Sequence, residues 1–138
     1  MPEIVRSIEY YYTLVPNQAG AGAKTLSALK AEAVNLVAFN GFPVSLRRAQ
    51  LVLVASDRNV LLAAAKKAGI RLVGPRHAFL IQGEDRVGAI VGVLNKLENA
   101  HINVTAIQAI SSGEGHYGAV LWVKPRNIDK AAQALGAS

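Results

Sequence analysis

The sequence contains no cysteine and no long uninterrupted apolar run. Without a cysteine, the chain cannot form disulfides or thiolate metal sites. This fits a reducing cytoplasm, where we expect the protein to be found. No apolar stretch reaches the roughly 18 residues that a membrane helix needs, so we expect no membrane span. The opening residues also lack the basic head and long apolar middle of a signal peptide.

Acidic residues are scarce. Nine Asp and Glu stand against 15 Lys and Arg, which gives a net charge of +6. The cations are spread along the chain apart from the pairs Arg47-Arg48 and Lys66-Lys67, whereas a nucleic-acid-binding face usually clusters them. This spread favours a solvated surface with some preference for anionic ligands, and it argues against a nucleic-acid partner.

Apolar residues are plentiful and recur in an ordered way. They make up 51% of the 138 residues, which is enough for a packed core and argues against disorder. The chain matches itself without a gap at a shift of 68 positions, with twelve identities in the 70 overlaid positions. Residues 12–39 lie over 80–107, and residues 51–65 lie over 119–133. The apolar runs, helix patterns and turns also recur in the same order, which indicates an internal repeat.

Each copy reads as βαββαβ. In the first copy, the strand patterns cover residues 9–15, 34–39, 49–55 and 70–73, and in the second they cover 77–82, 102–107 and 118–123. Helical spacing of apolar residues separates the first strand from the second, and a further helix follows the third strand, beginning near Asn59 or Asn127. This order predicts two ferredoxin-like repeats in an α+β fold.

The second copy lacks its last strand, and the start of the chain offers a replacement. Residues 3–6 overlie residues 71–74 at the same shift, so they can close the second copy's sheet and cover an exposed edge. We therefore predict one continuous antiparallel sheet of eight strands with helices on one face. The first repeat would cover residues 1–72 and the second residues 73–138, with residues 3–6 lent to the second.

A short corner, "GEDRVG", connects a strand to a helix in the second copy. Asp85 can accept hydrogen bonds from the free N–H groups of the helix, and Gly88 allows close approach of backbone or ligand. The N-terminus of a helix also suits a carboxylate or phosphate. The residues of the corner leave both a helix cap and a ligand turn open. The first copy has the equivalent "PNQAG".

The corner resembles the ligand turn of ACT domains, which are small βαββαβ regulatory modules that usually bind amino acids. "DRVGAI" (residues 85–90) resembles the Asp-Arg-Pro-Gly turn of the family, with valine in place of proline. "INV" (residues 102–104) is similar to the Ile-Asn-Ile that opens the family's second strand. Both copies have an asparagine fifteen residues after the glycine of the turn. The first copy departs from the pattern at Asn17, Ala19 and Gly22.

The resemblance implies two ligand sites, because the turn of one ACT domain faces the second strand of its neighbour. One site would combine Asn17, Gln18, Ala19 and Gly20 with Asn103. The other would combine Asp85, Arg86, Val87 and Gly88 with Asn35. Backbone N–H groups would take the carboxylate of the ligand, and an Asn or Asp side chain would take its ammonium.

Other polar residues do not form a recognisable catalytic or metal site. His77, His101 and His116 are not spaced like metal ligands, and no acid is placed to orient His116 beside Ser111 and Ser112. Asn59 and Asn127 fit the first positions of helices as caps. We therefore expect no cofactor, no metal and no enzymatic activity.

These observations favour a non-catalytic tandem ACT protein that senses an amino acid or a related small molecule. Its effect would reach a regulated partner protein through a change in association, and a homodimer is the expected assembly. A ferredoxin-like RNA-binding or protein-interaction module stays open, although the third strands lack the basic and aromatic pattern of RNA recognition. An acylphosphatase-like enzyme also shares the fold plan, but neither turn carries a Gly-rich phosphate loop.

Overall fold

The computed structural model describes residues 3–138, which form an α+β fold as predicted. Its strands are β1 (Ile4–Pro16), β2 (Leu36–Pro43), β3 (Arg48–Ala55), β4 (Val73–Glu84), β5 (Val104–Gly113) and β6 (His116–Val123). Its helices are α1 (Ala21–Ala31), α2 (Arg58–Ala68), α3 (Val91–Asn99) and α4 (Ile128–Leu135), and a short 3-10 turn at Pro125–Asn127 precedes α4.

The described residues contain six strands, so the prediction of eight is wrong. Residues 3–6 and 9–15 were assigned to separate strands, but they belong to one strand, β1, because no turn residue interrupts Arg6, Ser7 and Ile8. The strand predicted at residues 70–73 contributes only Val73 to β4. β4 then continues through Pro75 and includes the strand predicted at residues 77–82.

The chain divides into two compact units, and β1 and β4 each contain residues of both. Unit 1 comprises Met1–Glu9 and Arg76–Ser138, and unit 2 comprises Tyr10–Pro75. The strand order is β1-β4-β6-β5 in unit 1 and β2-β3-β1 in unit 2. β3 pairs antiparallel with both β1 and β2, and β6 pairs antiparallel with both β4 and β5.

The two units share one pairing register, displaced by 68 residues. Tyr11 lies opposite Leu53 in unit 2, and Phe79 lies opposite Leu121 in unit 1. The same displacement relates the pairs of β2 with β3 to the pairs of β5 with β6, including the irregularity after the first residue of each outer strand. The apolar pattern therefore places equivalent side chains on equivalent faces in both units.

Each unit has its own core, in which helices pack on one face of the strands. In unit 1, Phe79, Ile81 and Leu121 are fully buried and pack with residues of α3 and α4. In unit 2, Leu53 of the sheet packs with Leu29 of α1 and with residues of α2. Burial of such side chains stabilises the fold by about 1.5–3 kcal/mol each.

The helix caps differ from the prediction. The side chain of Asp57 caps α2 by accepting hydrogen bonds from the N–H groups of Asn59 and Val60, at 2.9 and 3.4 Å. Asn59 therefore lies inside the first turn and is not the cap. Asn127 does hold the position before α4, but its side chain makes no capping hydrogen bond. Asp is as good a cap as Asn, so the residue type alone could not locate the helix start.

Candidate ligand-binding site

The corner after β4 is a turn that leads into α3 without a side-chain helix cap. α3 begins at Val91, and the residue before it, Ile90, makes no side-chain cap. Asp85 lies too far ahead of this start to cap the helix, so the helix-cap alternative for this side chain does not hold. Its Oδ2 instead accepts a hydrogen bond from the Ser111 hydroxyl at 2.9 Å. Gly88 has a φ of 70°, a left-handed conformation that glycine adopts without strain.

The backbone also ties this turn to the β5–β6 hairpin. The Asp85 N–H donates to the Gly115 carbonyl at 2.8 Å. Together with the hydrogen bond from Ser111, this holds the Asp85 carboxylate against the end of β5 while leaving it exposed to solvent. A carboxylate can accept several hydrogen bonds, so it can still receive a ligand donor.

A surface cavity of about 390 Å³ opens between this turn, the start of α3 and the end of β5. Its size falls in the range of small-molecule sites, roughly 300–1,000 Å³. Polar groups reach it from Asp85, Arg86 and Ser111. The other lining residues are Gly88, Ala89, Ile90, Val91, Leu94, Ala109, Ile110 and Tyr117.

The basic group of the cavity is paired within unit 1. Arg86 Nη2 lies 2.8 Å from Glu3 Oε1, and Arg86 Nη1 donates to the Glu84 carbonyl at 3.3 Å. The Tyr117 hydroxyl donates to the same Glu3 oxygen at 3.3 Å. The Glu3 side chain is only 12% exposed, while that of Arg86 is 45% exposed. The carboxylate therefore holds one edge of the guanidinium, while the Arg86 side chain stays partly exposed to solvent.

This network shifts the ionisation of its three members. Burial of Glu3 alone raises its pKa, but hydrogen bonds and charge from Arg86 outweigh burial and bring the pKa below its usual value. The hydrogen bond to Glu3 raises the pKa of Arg86. Burial, followed by the negative charge of Glu3, raises the pKa of Tyr117 to about 12. Glu3, Arg86 and Tyr117 therefore keep their ordinary charge at neutral pH.

In the equivalent corner of unit 2, the Asn17 side chain contacts the β2–β3 connection. Asn17 Nδ2 donates to the carbonyls of Ser45 and Leu46 at 3.5 and 3.4 Å. Its backbone N–H donates to the Arg47 carbonyl at 2.8 Å, which matches the contact from Asp85 to Gly115. Asn17 therefore holds the β2–β3 connection. The rest of this turn, Gln18, Ala19 and Gly20, is exposed.

The residues beneath the two corners also differ in size. Leu51 occupies in unit 2 the register position that Ala119 occupies in unit 1. A methyl group added to Gly41 would lie only 3.2 Å from Leu51 Cδ2, so this leucine fills the space near the corner. In unit 1 the larger side chain lies before the helix, where Ile90 stands at the position of Gly22. The sheet position carries the small side chain of Ala119.

Only part of the predicted residue set lines the cavity. Asp85, Arg86 and Gly88 lie together there, while Val87 is fully exposed and does not line it. Asn103 precedes β5, at the opposite end of that strand from Ser111, roughly 25 Å away along an extended chain. Asn35 precedes β2 in the same way, and its carbonyl accepts from the N–H of Ser56 at 2.9 Å.

Sequence reasoning missed three contributors to this site. Ser111 was assigned to a loop, Tyr117 was not singled out, and Glu3 was considered only as part of a strand. Their hydrogen bonds with the turn and with each other join residues 26 to 114 positions apart. The overlay of the two copies shows that Ser111 and Tyr117 replace Pro43 and Ala49 of unit 2. This difference between the copies is the sequence signal that could have pointed to both residues.

The remaining polar residues form no further candidate centre. Within residues 3–138, no group of three or more His, Asp or Glu side chains could hold a metal ion. His101 instead occupies the turn after α3, where its φ is 58°. Ser112 donates to the His116 carbonyl at 3.2 Å and so belongs to the hairpin. No helix in the described part of the chain is long and apolar enough to cross a membrane.

Comparison with solved structures identifies the fold. No protein-family model matches the sequence, and no curated protein matches it. A protein from Bacteroides thetaiotaomicron superposes with a TM-score of 0.80 at 18% identity, over 97% of this chain and 88% of that one. The ligand-free regulatory subunit of aspartate kinase from Thermus thermophilus superposes with a TM-score of 0.65 at 13% identity, over 99% and 95% of the two chains.

A further regulatory subunit of aspartate kinase, from Thermus flavus, gives the same picture. Its TM-score is 0.63 at 12% identity, again over 99% of this chain and 95% of that one. Identities this low establish a shared architecture and nothing finer. The chain has the ACT-like fold of aspartate kinase regulatory subunits.

Proposed function

We propose that this protein is a non-catalytic regulatory protein of the tandem ACT type that binds an amino acid or a related small molecule. The observation that carries the proposal is the cavity at the Asp85–Gly88 turn, where a carboxylate, a helix start and an apolar wall meet. The shared register of the two units supports two ACT repeats. The fold of aspartate kinase regulatory subunits supports a regulatory role.

The charges of the cavity suit a zwitterion. Because Glu3 already pairs with Arg86, Asp85 is the group that can attract a ligand ammonium. The ligand carboxylate would accept hydrogen bonds from backbone N–H groups at the start of α3, where the helix dipole favours negative charge. Ser111 orients the Asp85 carboxylate through its hydrogen bond.

We further propose one such site per chain, in unit 1. In unit 2, Asn17 is engaged with the β2–β3 connection, and Leu51 takes up the space beneath the corner. The resemblance to ACT domains adds Asn35 to the Asp85 turn and Asn103 to the Asn17 turn. These pairings stay predictions, and Asn35→Ala and Asn103→Ala test them in the titrations described next.

A thermal-shift panel with the twenty amino acids at millimolar concentration tests the proposal. A ligand at 100 times its dissociation constant stabilises the folded state by about 2.7 kcal/mol, which raises the melting temperature by roughly several degrees. We expect Asp85→Asn and Ser111→Ala to reduce the shift. The neighbouring Ser112→Ala is the matched control and should keep it.

Isothermal titration of the ligand that gives the largest shift then measures stoichiometry. We expect one ligand per chain and a loss of affinity in Asp85→Asn. If no amino acid shifts the melting temperature, the proposed function is wrong. Two ligands per chain would contradict the single site, and loss of one of them in Asn103→Ala would assign the second to the Asn17 turn.

The effect of the ligand would pass to a partner protein through a change in association, and we propose a homodimer as the resting assembly. Unit 2 exposes an apolar set along β2 and the connection to β3 that could serve such contacts. Its members are Val37, Phe39, Phe42, Val44 and Leu46. Sedimentation velocity with and without the ligand measures the assembly, and a monomer under both conditions would contradict the homodimer.

A further inference from the structure

We infer that the effector carries an aliphatic side chain of about the size of leucine. This inference rests on the proposed function, and it comes from the wall of the same cavity. Val91 and Leu94 of α3 line one side, and Ala109 of β5 lines the other. Val91 is 56% exposed and Leu94 is 37% exposed, so each presents apolar surface at the cavity.

α3 is apolar on two sides, and only one of them is used by the core. Val93 and Leu97 are 2% and 1% exposed and pack in the core of unit 1. Val91 and Leu94, three residues apart, form a second stripe that the fold does not bury. Small-molecule pockets are lined predominantly by apolar side chains, with a few polar groups that fix the orientation of the ligand. An aliphatic ligand side chain would cover this stripe.

The charged groups of the cavity disfavour charged side chains on the ligand. An acidic side chain would lie near Asp85 and would find Arg86 already paired with Glu3 at 2.8 Å. A basic side chain would compete with the ligand's own ammonium for Asp85, and its charge would otherwise face the apolar wall. Placing an unpaired charge against apolar surface is costly, so polar amino acids should bind more weakly.

Titration calorimetry with leucine, alanine, lysine and aspartate tests this specificity. Each buried methylene raises affinity about fourfold, so leucine should bind at least about tenfold more tightly than alanine. Lysine and aspartate should bind more weakly than leucine. 4-Methylpentanoate, which is leucine without its amine, should bind weakly because it cannot pair with Asp85.

A matched pair of leucine variants locates the side-chain subsite. Leu94→Ala should weaken leucine binding by about fivefold or more and leave alanine binding nearly unchanged. Leu62, on α2 of unit 2, is 38% exposed against 37% for Leu94. Leu62→Ala should therefore have a similar cost in stability and no effect on leucine affinity.

The outcomes separate this inference from the proposed function. If a charged amino acid binds more tightly than leucine and depends on Asp85, the function stands and the aliphatic specificity is wrong. If Leu94→Ala leaves leucine affinity unchanged, the subsite is also wrong. If none of the four amino acids binds, and sedimentation shows a dimer that Leu94→Ala dissociates, the stripe is an interface between copies, which overturns both.

Discussion

Gly83 of β4 should not tolerate a side chain, because Tyr117 and Glu3 occupy the space that a methyl group would need. Gly83 lies directly opposite Tyr117 in the pairing of β4 with β6. A Cβ at Gly83 would lie 2.9 Å from Tyr117 Cε1 and 3.0 Å from Glu3 Cγ. Glu3 can shift at modest cost, but the Tyr117 ring is only 5% exposed and is packed in the core.

We expect Gly83→Ala to lower the free energy of unfolding by about 1–3 kcal/mol, the usual cost of one extra methyl group in a packed site. Urea unfolding followed by circular dichroism measures it. Gly92 of α3 is the matched control, because a Cβ there would meet no atom within 4 Å. Gly92→Ala should leave stability unchanged or raise it by up to about 1 kcal/mol.

Gly83→Ala should also weaken ligand binding, because Tyr117 lines the cavity and Glu3 holds Arg86 there. Equal stabilities for Gly83→Ala and Gly92→Ala would refute the steric argument. A destabilised Gly83→Ala with unchanged affinity would show that the network supports the fold alone, without shaping the cavity.

Four further predictions concern the core of unit 2, the cap of α2 and the network of Glu3 and Tyr117. Leu61→Ala should cost about 2–5 kcal/mol because Leu61 is 1% exposed, whereas Leu62→Ala beside it should cost far less in the same urea titration. Asp57→Ala removes the α2 cap and should cost about 1 kcal/mol. Spectrophotometric titration should show one tyrosine ionising near pH 12, absent in Tyr117→Phe. The folded pKa of Glu3 lies below its unfolded value of 4.5. The ionised Glu3 side chain therefore stabilises the fold above pH 4.5, and this stabilisation is lost as the pH falls through the folded pKa. The loss of stability in Glu3→Gln should accordingly shrink in acid.

Local patterns predicted much of the architecture. The spacing of apolar residues placed the four helices and the strand cores, since period 3.6 and period 2 are properties of neighbouring residues. The two corners were found for the same reason, because the residues of a turn are contiguous. The number of strands was wrong because the end of a strand depends on its hydrogen-bond partners. Nothing in the residues 6–8 or 74–76 alone reveals those partners.

The candidate site was only half visible in the sequence. Asp85, Arg86 and Gly88 come from one contiguous motif, but Ser111 reaches the turn from β5 and Glu3 from the residue before β1. The overlay also aligned Ser111 with Pro43 and Ala119 with Leu51. It could not show that these positions face the turn, so it could not separate an open corner from a closed one.

The sequence by itself determined the α+β class, the two corners and the acidic residue at one of them. Those features depend on short-range periodicity and on residue chemistry. Tertiary structure alone decided that Asp85 accepts a hydrogen bond from Ser111 and that Glu3 forms an ion pair with Arg86. It also decided that Leu51 fills the space near the corner of unit 2. These contacts join residues far apart in the chain, and only the register of the strands brings them together.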